Sequence, residues 1–233
     1  MNSILLLFDH LRSEDISQFE DQLGEVGRYY RFVKVSELVG RLRKRKTLGQ
    51  AAIVFKSARK SIFVHAVSRL LEREIPFSLM LRPDCIGLNR LSVEDEIEIY
   101  RKFYPGDIPD LEGKGEVEIR ASLRKIGKLP IEKLDPLMFF GTWGELTRIP
   151  PTFVELGLAL SSRAAEQELT FIRQQTGVAV RIAYGKGLSS EAKATLERLG
   201  IEAYLTDRSG VIDKDTDPMD LPHWALTNES SKE

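Results

Sequence analysis

Short apolar runs alternate with segments of helical periodicity along most of this chain, and this alternation constrains the fold more than any other feature. Ile4 to Phe8, Ala51 to Phe55 and Phe77 to Leu81 are almost entirely apolar, which is typical of strands buried on both faces. Between the first two runs, apolar residues recur at helical spacing at Ile16, Phe19, Leu23 and Val26. Alternating strands and helices predict a mostly parallel sheet with helices packed against it.

The alternation continues to Leu205 and is interrupted once. Further strands are predicted at Phe32 to Val35, Phe153 to Leu160, Val178 to Ala183 and Ile201 to Leu205. These runs bring the predicted sheet to about seven strands. From Ser92 to Leu137 helical periodicity replaces the alternation, which predicts a helical insertion. We predict a single domain over residues 1–228, followed by a flexible tail at 229–233.

Composition and charge argue against several classes of function. The chain has 34 Lys and Arg against 35 Asp and Glu, and its net charge of -1 provides no basic field for nucleic acid. A single cysteine, Cys85, excludes an intrachain disulfide and a site built from several thiolates. Ile4 to Phe8 is too short for a signal peptide, and no stretch approaches the roughly 20 apolar residues that span a bilayer. We expect a cytoplasmic protein without nucleic acid or membrane partners.

Several segments occur in an order that points to one family. The opening predicted strand ends in an aromatic residue and a histidine, as Ile4-Leu5-Leu6-Leu7-Phe8-Asp9-His10. Glu74 to Leu81 contains a later strand that begins after Ile75-Pro76. Further landmarks follow at Phe19 to Leu23, Phe32 to Leu38, Ala51 to Phe55, Thr142 to Leu146, Val154 to Gly157, Ile182 to Tyr184 and Asp217 to Pro222. In this order they resemble the polysaccharide deacetylases, the NodB-homology carbohydrate esterases. The resemblance covers nearly the whole chain and implies an α/β fold, a distorted parallel (β/α) barrel.

The sequence departs from this family where the family carries its chemistry. The Thr-Phe-Asp-Asp-Gly motif of the family supplies a catalytic base and a metal-ligand Asp, and it corresponds here to Val54-Phe55-Lys56-Ser57-Ala58. The two metal-binding histidines of the family correspond to Ala159 and Arg163, after Glu155-Leu156-Gly157. The Tyr-Pro-aromatic-Gly motif corresponds to Tyr184-Gly185-Lys186-Gly187.

Metal-assisted hydrolysis is not expected at these positions. A divalent cation needs about three converging N or O ligands, whereas Ala159 offers none, Ser57 is a weak ligand and the guanidinium of Arg163 stays protonated. A cation at Lys56 or Arg163 would also repel the ion, by about 4 kcal/mol per unit charge at about 4 Å and an effective dielectric near 20. No pair among His10, His65 and His223 has metal-ligand spacing. We therefore predict no catalytic residues, no metal and no other cofactor.

The substitutions place basic residues where a ligand would bind. The carboxyl ends of parallel barrel strands meet at one mouth, so Lys56, Arg163 and Lys186 are expected to converge, with Arg82 and Arg181 near the same face. A cationic mouth suits an anionic ligand such as a uronate, a phosphosugar or a carboxylated sugar. The alternative is that the pocket has no function and that these substitutions accumulated by neutral drift. The predicted ligand-binding residues are Lys56, Ser57, Arg163, Tyr184, Lys186, Arg82 and Arg181.

Three functions remain open at this point. The first is a polysaccharide-deacetylase-like protein of carbohydrate metabolism that lacks catalysis and binds an anionic or acylated sugar or regulates a partner. The second is an active carbohydrate deacetylase, a hydrolase of non-peptide C–N bonds with a non-standard site. The third is a structural partner that assembles with an active homologue through residues 92–137. A tightly bound metal would favour the second function, and co-purification with another chain would favour the third.

Overall fold

Seven parallel strands close into a barrel within the residues described by this computed structural model, which are 2–46, 49–161 and 164–225. The order around the barrel is β1-β3-β4-β5-β6-β7-β8, and β8 returns to β1. An additional two-residue strand, β2, pairs only with the start of β3. The strands are β1 (Ile4–Phe8), β2 (Arg31–Phe32), β3 (Gln50–Phe55), β4 (Phe77–Leu81), β5 (Val154–Ala159), β6 (Ile182–Tyr184), β7 (Ala203–Ser209) and β8 (Leu221–Ala225).

Helices connect most of the strands. They are α1 (Ile16–Tyr29), α2 (Val35–Arg43), α3 (Lys60–Ile62), α4 (Ser68–Glu72), α5 (Val93–Phe103), α6 (Glu116–Ile126), α7 (Trp143–Thr147), α8 (Ala165–Thr176) and α9 (Ser190–Arg198). A π-helical turn, Phe63–Val67, joins α3 to α4. Helices α5 and α6 lie between β4 and β5, where the sequence predicts a helical insertion. Among the described helices, none has the length and apolar character needed to cross a membrane.

Alternate residues along each strand pack into two different apolar layers, as expected for a strand covered on both faces. The outer layer joins Phe55 and Leu79 to helical residues such as Phe19 and Ile172. The inner layer fills the barrel, and its strand residues are Leu5, Leu7, Ala52, Val54, Met80, Ala159, Ile182, Ala203, Leu205 and Leu221. A residue two positions beyond an inner residue therefore faces the inside of the barrel as well.

Helix α2 covers the amino end of the barrel. At its first turn, the backbone N–H of Ser36 donates to Oε2 of Glu155 on β5 at 3.2 Å. At its last turn, Nη2 of Arg43 donates to the carbonyl oxygen of Glu202, just before β7, at 3.2 Å. Between these ends, Leu38 and Leu42 pack into the inner apolar layer. The carboxyl ends of the strands therefore form the other end of the barrel, which we call the mouth.

The number of barrel strands agrees with the sequence prediction, but the identity of one strand does not. The predicted strand Phe32 to Val35 is wrong beyond Phe32, because Val35 begins α2 and is buried in the inner layer. Strand β8 closes the barrel instead, and its Trp224 pairs with Leu6 of β1. The sequence pattern does not indicate β8, because Pro222 and His223 interrupt its apolar residues.

Gly157 offers a test of how tightly the barrel interior is packed. It lies on β5 between Met80 on β4 and Ile182 on β6. A Cβ atom at this position would overlap Sδ of Met80 and come within 2.8 Å of Cγ1 of Ile182. We predict that Gly157→Ala lowers the free energy of unfolding by about 1–3 kcal/mol, the usual cost of overpacking a core. Urea denaturation measures this change.

Gly24 provides the matched control for this substitution. It lies in the interior of α1, and a Cβ atom there would have no neighbour within 4 Å. Gly24→Ala should therefore raise the free energy of unfolding by up to about 1 kcal/mol, because alanine is the better helix former. A Gly157→Ala protein that is as stable as the wild type would contradict the packing described for the barrel interior.

Candidate ligand site at the barrel mouth

Lys56 and Tyr184 come together at the mouth, as the sequence predicts for residues at the ends of two parallel strands. Lys56 directly follows β3, and its Nζ lies over the ring of Tyr184, 5.9 Å from the ring centroid. Burial, together with the nearby carboxylates of Asp9 and Asp207, raises the pKa of the Tyr184 phenol to about 12. Tyr184 therefore keeps its proton at neutral pH and presents a hydroxyl group that can donate a hydrogen bond.

Asp207 is a residue of the mouth that the sequence analysis did not identify. Strand β7 extends to Ser209, whereas the apolar pattern predicts that this strand ends at Leu205. The pairing of β7 with β8 is irregular between Leu205 and Ser209, but the charge of Asp207 acts on both Tyr184 and His223, which places its carboxylate near the mouth. With Asp9 after β1, two carboxylates accompany Lys56, and the charge of the mouth is mixed rather than purely cationic.

His223 is buried at the mouth and forms part of the barrel wall. Its Nδ1–H donates to the carbonyl oxygen of Thr206, which links β8 to β7. Burial lowers the pKa of His223, and the positive charge of Lys56 lowers it further, against the opposing effects of Thr206 and Asp207. The imidazole is therefore neutral at physiological pH and holds two strands together.

Ser57 belongs to a buried hydrogen-bonded network around Arg59. The hydroxyl of Ser57 donates to the carbonyl oxygen of Asp9 at 3.3 Å and accepts from Nε of Arg59 at 3.1 Å. Nη2 of Arg59 reaches Oδ1 of Asp95 on α5 at 2.7 Å, and Nη1 donates to the carbonyl oxygen of Met138 at 2.9 Å. Arg59 therefore attaches the helical insertion to the end of β3. No local sequence pattern indicates this role for Arg59.

A cavity of about 440 Å³ opens between this network and the insertion. The hydroxyl of Ser61 is buried in its wall and has no hydrogen-bond partner among the described residues. His10, which follows the first strand and the aromatic residue of the family-like opening segment, also lines the cavity. Charges of both signs surround it: Arg12, Arg59, Lys102, Lys133, Asp9, Asp95, Glu98 and Asp135. The cavity next to the mouth is therefore polar and close to neutral overall.

The residues at the mouth do not fit the divalent metal that the family resemblance implies. The ammonium of Lys56 is a cation, the hydroxyl of Ser57 already bonds to Asp9 and Arg59, and Ala159 has no donor atom. Arg163, the remaining family position, lies outside the described residues. Within the described ranges, no group of three His, Cys, Asp or Glu side chains is arranged to hold a metal ion.

Lys186 lies on a tight turn in which the preceding residue, Gly185, has no space for a side chain. It is exposed after β6, and its carbonyl oxygen accepts a hydrogen bond from the hydroxyl of Tyr204 at 2.7 Å. A Cβ atom on Gly185 would lie 2.5 Å from that hydroxyl oxygen, which leaves no room for a side chain. The turn thus fixes the backbone of Lys186 beside the mouth while its side chain extends into solvent.

Arg82 and Arg181 do not contribute free charge to the mouth. Arg82 follows β4 as predicted, but its buried guanidinium pairs with Asp84 at 3.3 Å and with Glu94 and Glu116 of the insertion at 3.3 and 3.2 Å. The predicted position of Arg181 near the same face is wrong. Arg181 precedes β6, at the amino end of the barrel, where it pairs with Glu202 at 3.1 Å.

The neutral state of His223 predicts a pH dependence of stability. The unfolded chain binds a proton at this residue near pH 6.5, whereas the folded protein resists protonation until a lower pH. The contribution of His223 to the free energy of unfolding is therefore complete above about pH 6.5. It is lost as the pH falls toward the lower folded-state pKa. The wild type should lose more free energy of unfolding between about pH 7.5 and about pH 5.5 than His223→Asn, which keeps a donor at this position without titrating.

Urea denaturation of both proteins at the two pH values measures this difference. The other titratable groups are the same in both proteins, so their contributions cancel in the comparison. Equal losses in the two proteins would show that His223 is not held in its neutral form.

The fold matches several solved structures, although no protein-family profile and no curated sequence matches this chain. The deacetylase domain of BpsB from Bordetella bronchiseptica is 12% identical with a TM-score of 0.60, over 95% of this chain and 94% of that chain. IcaB from Ammonifex degensii is 16% identical with a TM-score of 0.61, over 98% of this chain and 93% of that chain. The deacetylase PplD from Streptococcus pyogenes, in complex with acetate, is 8% identical with a TM-score of 0.63, over 97% of this chain and 92% of that chain.

These structures cover nearly the whole chain at sequence identities that establish similarity of fold. The closed all-parallel barrel agrees with the order of landmarks that the sequence shares with the family. The chain therefore has the fold of the polysaccharide deacetylases, as its sequence predicts.

Proposed function

We propose that this protein binds an anionic or acylated sugar at the barrel mouth and does not carry out metal-dependent deacetylation. In this proposal it acts in carbohydrate metabolism as a binding or regulatory protein. The observation that carries the proposal is the environment of Lys56. Its ammonium lies over the ring of Tyr184, 5.9 Å from the centroid, and makes no hydrogen bond or ion pair with any described residue.

The unpaired state of Lys56 distinguishes it from the buried arginines nearby. Arg59 and Arg82 both pair with carboxylates at 3.3 Å or less, so their charges hold loops and the insertion in place. Lys56 is half-buried and keeps three N–H donors for an incoming acceptor. The protonated hydroxyl of Tyr184 can add a further donor. A carboxylate or phosphate would therefore find a cation and a neutral donor together.

The sugar part of the proposal comes from the family resemblance of the sequence and from the shared fold. BpsB and PplD, which have this fold, are deacetylases, and PplD was solved with acetate, a carboxylate. We infer that the mouth of this chain also takes a carbohydrate, with its negative charge on Lys56. Lys186 is a second contact in this proposal, and Arg163 is a third that can bind a carboxylate bidentately.

The absence of a suitable donor set predicts the outcome of a metal and activity test. Purified protein incubated with Zn²⁺ or Ni²⁺ and then desalted should retain no stoichiometric metal by elemental analysis. It should also release no acetate from acetylated amino-sugar oligomers under conditions in which an active polysaccharide deacetylase, assayed in parallel, releases it. About one tightly held metal per chain, with activity that a chelator removes, would instead establish an active deacetylase.

A thermal-shift series tests the anion site. Glucuronate and glucose 6-phosphate should raise the melting temperature at fixed ionic strength, whereas glucose should not. The expected stabilisation follows RT ln(1 + [L]/Kd), about 2.7 kcal/mol at 100 times Kd. Lys56→Gln should abolish the shift because it removes the charge, and Lys186→Gln should reduce it less because that side chain extends into solvent.

Lys44→Gln serves as the matched control, since Lys44 is exposed beyond α2 at the amino end of the barrel. Its loss should leave the anion-dependent shift unchanged. The proposal fails if glucose and glucuronate stabilise the wild type equally, or if Lys56→Gln retains the full shift.

A further inference from the structure

A second cavity lies at the amino end of the barrel, opposite the mouth. Its volume is about 430 Å³, and it lies between the start of α2, the start of β5 and the segments that precede β5 and β6. This volume falls within the range of small-molecule sites, roughly 300–1,000 Å³. Neither the family resemblance nor the proposed function makes use of this cavity.

The walls of this cavity are mainly apolar. They are formed by Leu146, Ile149, Pro151, Val154, Leu156 and Val178. Four of these side chains are buried in the apolar core, whereas Val178 is exposed at the rim. Apolar side chains around a concave space of this size favour a ligand with an apolar body, because its burial removes apolar surface from water.

The polar groups of the cavity carry an excess of positive charge. Nζ of Lys34 donates to the carbonyl oxygen of Pro151 at 2.7 Å, which fixes the ammonium at the cavity wall and leaves two of its donors. The carboxylate of Glu155 already accepts from the Ser36 backbone at 3.2 Å and from the hydroxyl of Ser78 at 3.1 Å. Arg181 adds a second cation at the rim, where its guanidinium also pairs with Glu202 at 3.1 Å.

We propose that this amino-end cavity binds a small amphipathic molecule with an apolar chain and one carboxylate, of the medium-chain fatty acid class. The apolar body occupies the space against Ile149 and Val154. The carboxylate pairs with Lys34, and Arg181 lies close enough to the rim to add attraction. Charge complementarity favours the carboxylate over an alcohol or an amine, because the two cations Lys34 and Arg181 outnumber Glu155, whose Oε2 already accepts two hydrogen bonds.

Binding at this cavity would also affect how the amino end of the barrel is closed. Lys34 immediately precedes α2, the helix that covers that end, and its contact with Pro151 ties α2 to the segment before β5. A ligand held by both sides therefore stabilises the attachment of α2 to the barrel.

A matched series of ten-carbon probes tests the proposal: decanoate, decanol and decylamine below their aggregation limits. Methyl-labelled NMR should show decanoate-dependent shifts at Ile149, Val154 and Leu156, and calorimetry should give an affinity about tenfold higher for decanoate than for decanol, the value of one charge-assisted hydrogen bond. Decylamine should bind more weakly than decanol. Equal affinities for the three probes, or shifts that map elsewhere on the protein, would overturn the proposal.

Two variants sharpen the test. Lys34→Gln keeps a donor for Pro151 but removes the charge, so decanoate and decanol should bind it about equally. Val178→Trp places a large side chain at the exposed rim and should block all three probes. Lys44→Gln is the control, because Lys44 carries an exposed charge at the end of α2 but does not line the cavity. Unchanged decanoate affinity in Lys34→Gln would contradict the proposal even if Val178→Trp failed to fold.

Discussion

Closure of the sheet between β1 and β8 is the constraint on which the mouth depends. Within the part of the chain that the structure describes, β8 pairs with β1 at Leu6 and Leu7, and on its other side it pairs with β7. The hydrogen bond from His223 to Thr206 adds a side-chain link between β7 and β8. Because this closure brings β1 beside the last strands of the chain, Asp9 lies close enough to Tyr184 to influence its pKa. An open sheet would leave Asp9 beside one edge strand and Tyr184 on β6, four strands away.

The cations near the mouth divide into those that hold the structure together and those that remain available. Arg59 connects β3 to α5 through Asp95, and Arg82 connects β4 to the insertion through Glu94 and Glu116. Buried arginines with matched carboxylates of this kind maintain geometry, because removal of either partner would leave a buried charge without compensation. Lys56 has no such partner among the described residues. This difference is the basis for assigning Lys56, and not the arginines, to ligand binding.

The sequence predicts correctly those parts of the fold in which a short apolar run forms a strand. β1 and β4 occupy the predicted residues, because both are short apolar runs bounded by polar residues. The convergence of Lys56 and Tyr184 follows from parallel topology alone. Arg181 was misplaced because the apolar run from Val178 predicts a longer strand, whereas β6 begins at Ile182 and leaves Arg181 at the amino end. The pair Arg59 and Asp95, separated by 36 residues, depends on tertiary packing that no local pattern records.

The most direct test of the central claim, that Lys56 makes the mouth an anion site, is a crystal structure of the protein grown with glucuronate. Our account predicts the sugar at the mouth, with a carboxylate oxygen about 3 Å from Nζ of Lys56. Asp9 and Asp207 should lie on the hydroxyl side of the sugar, because their charge repels the carboxylate. Glucuronate bound away from Lys56, or a metal ion coordinated beside Lys56 and Ser57, would contradict the account.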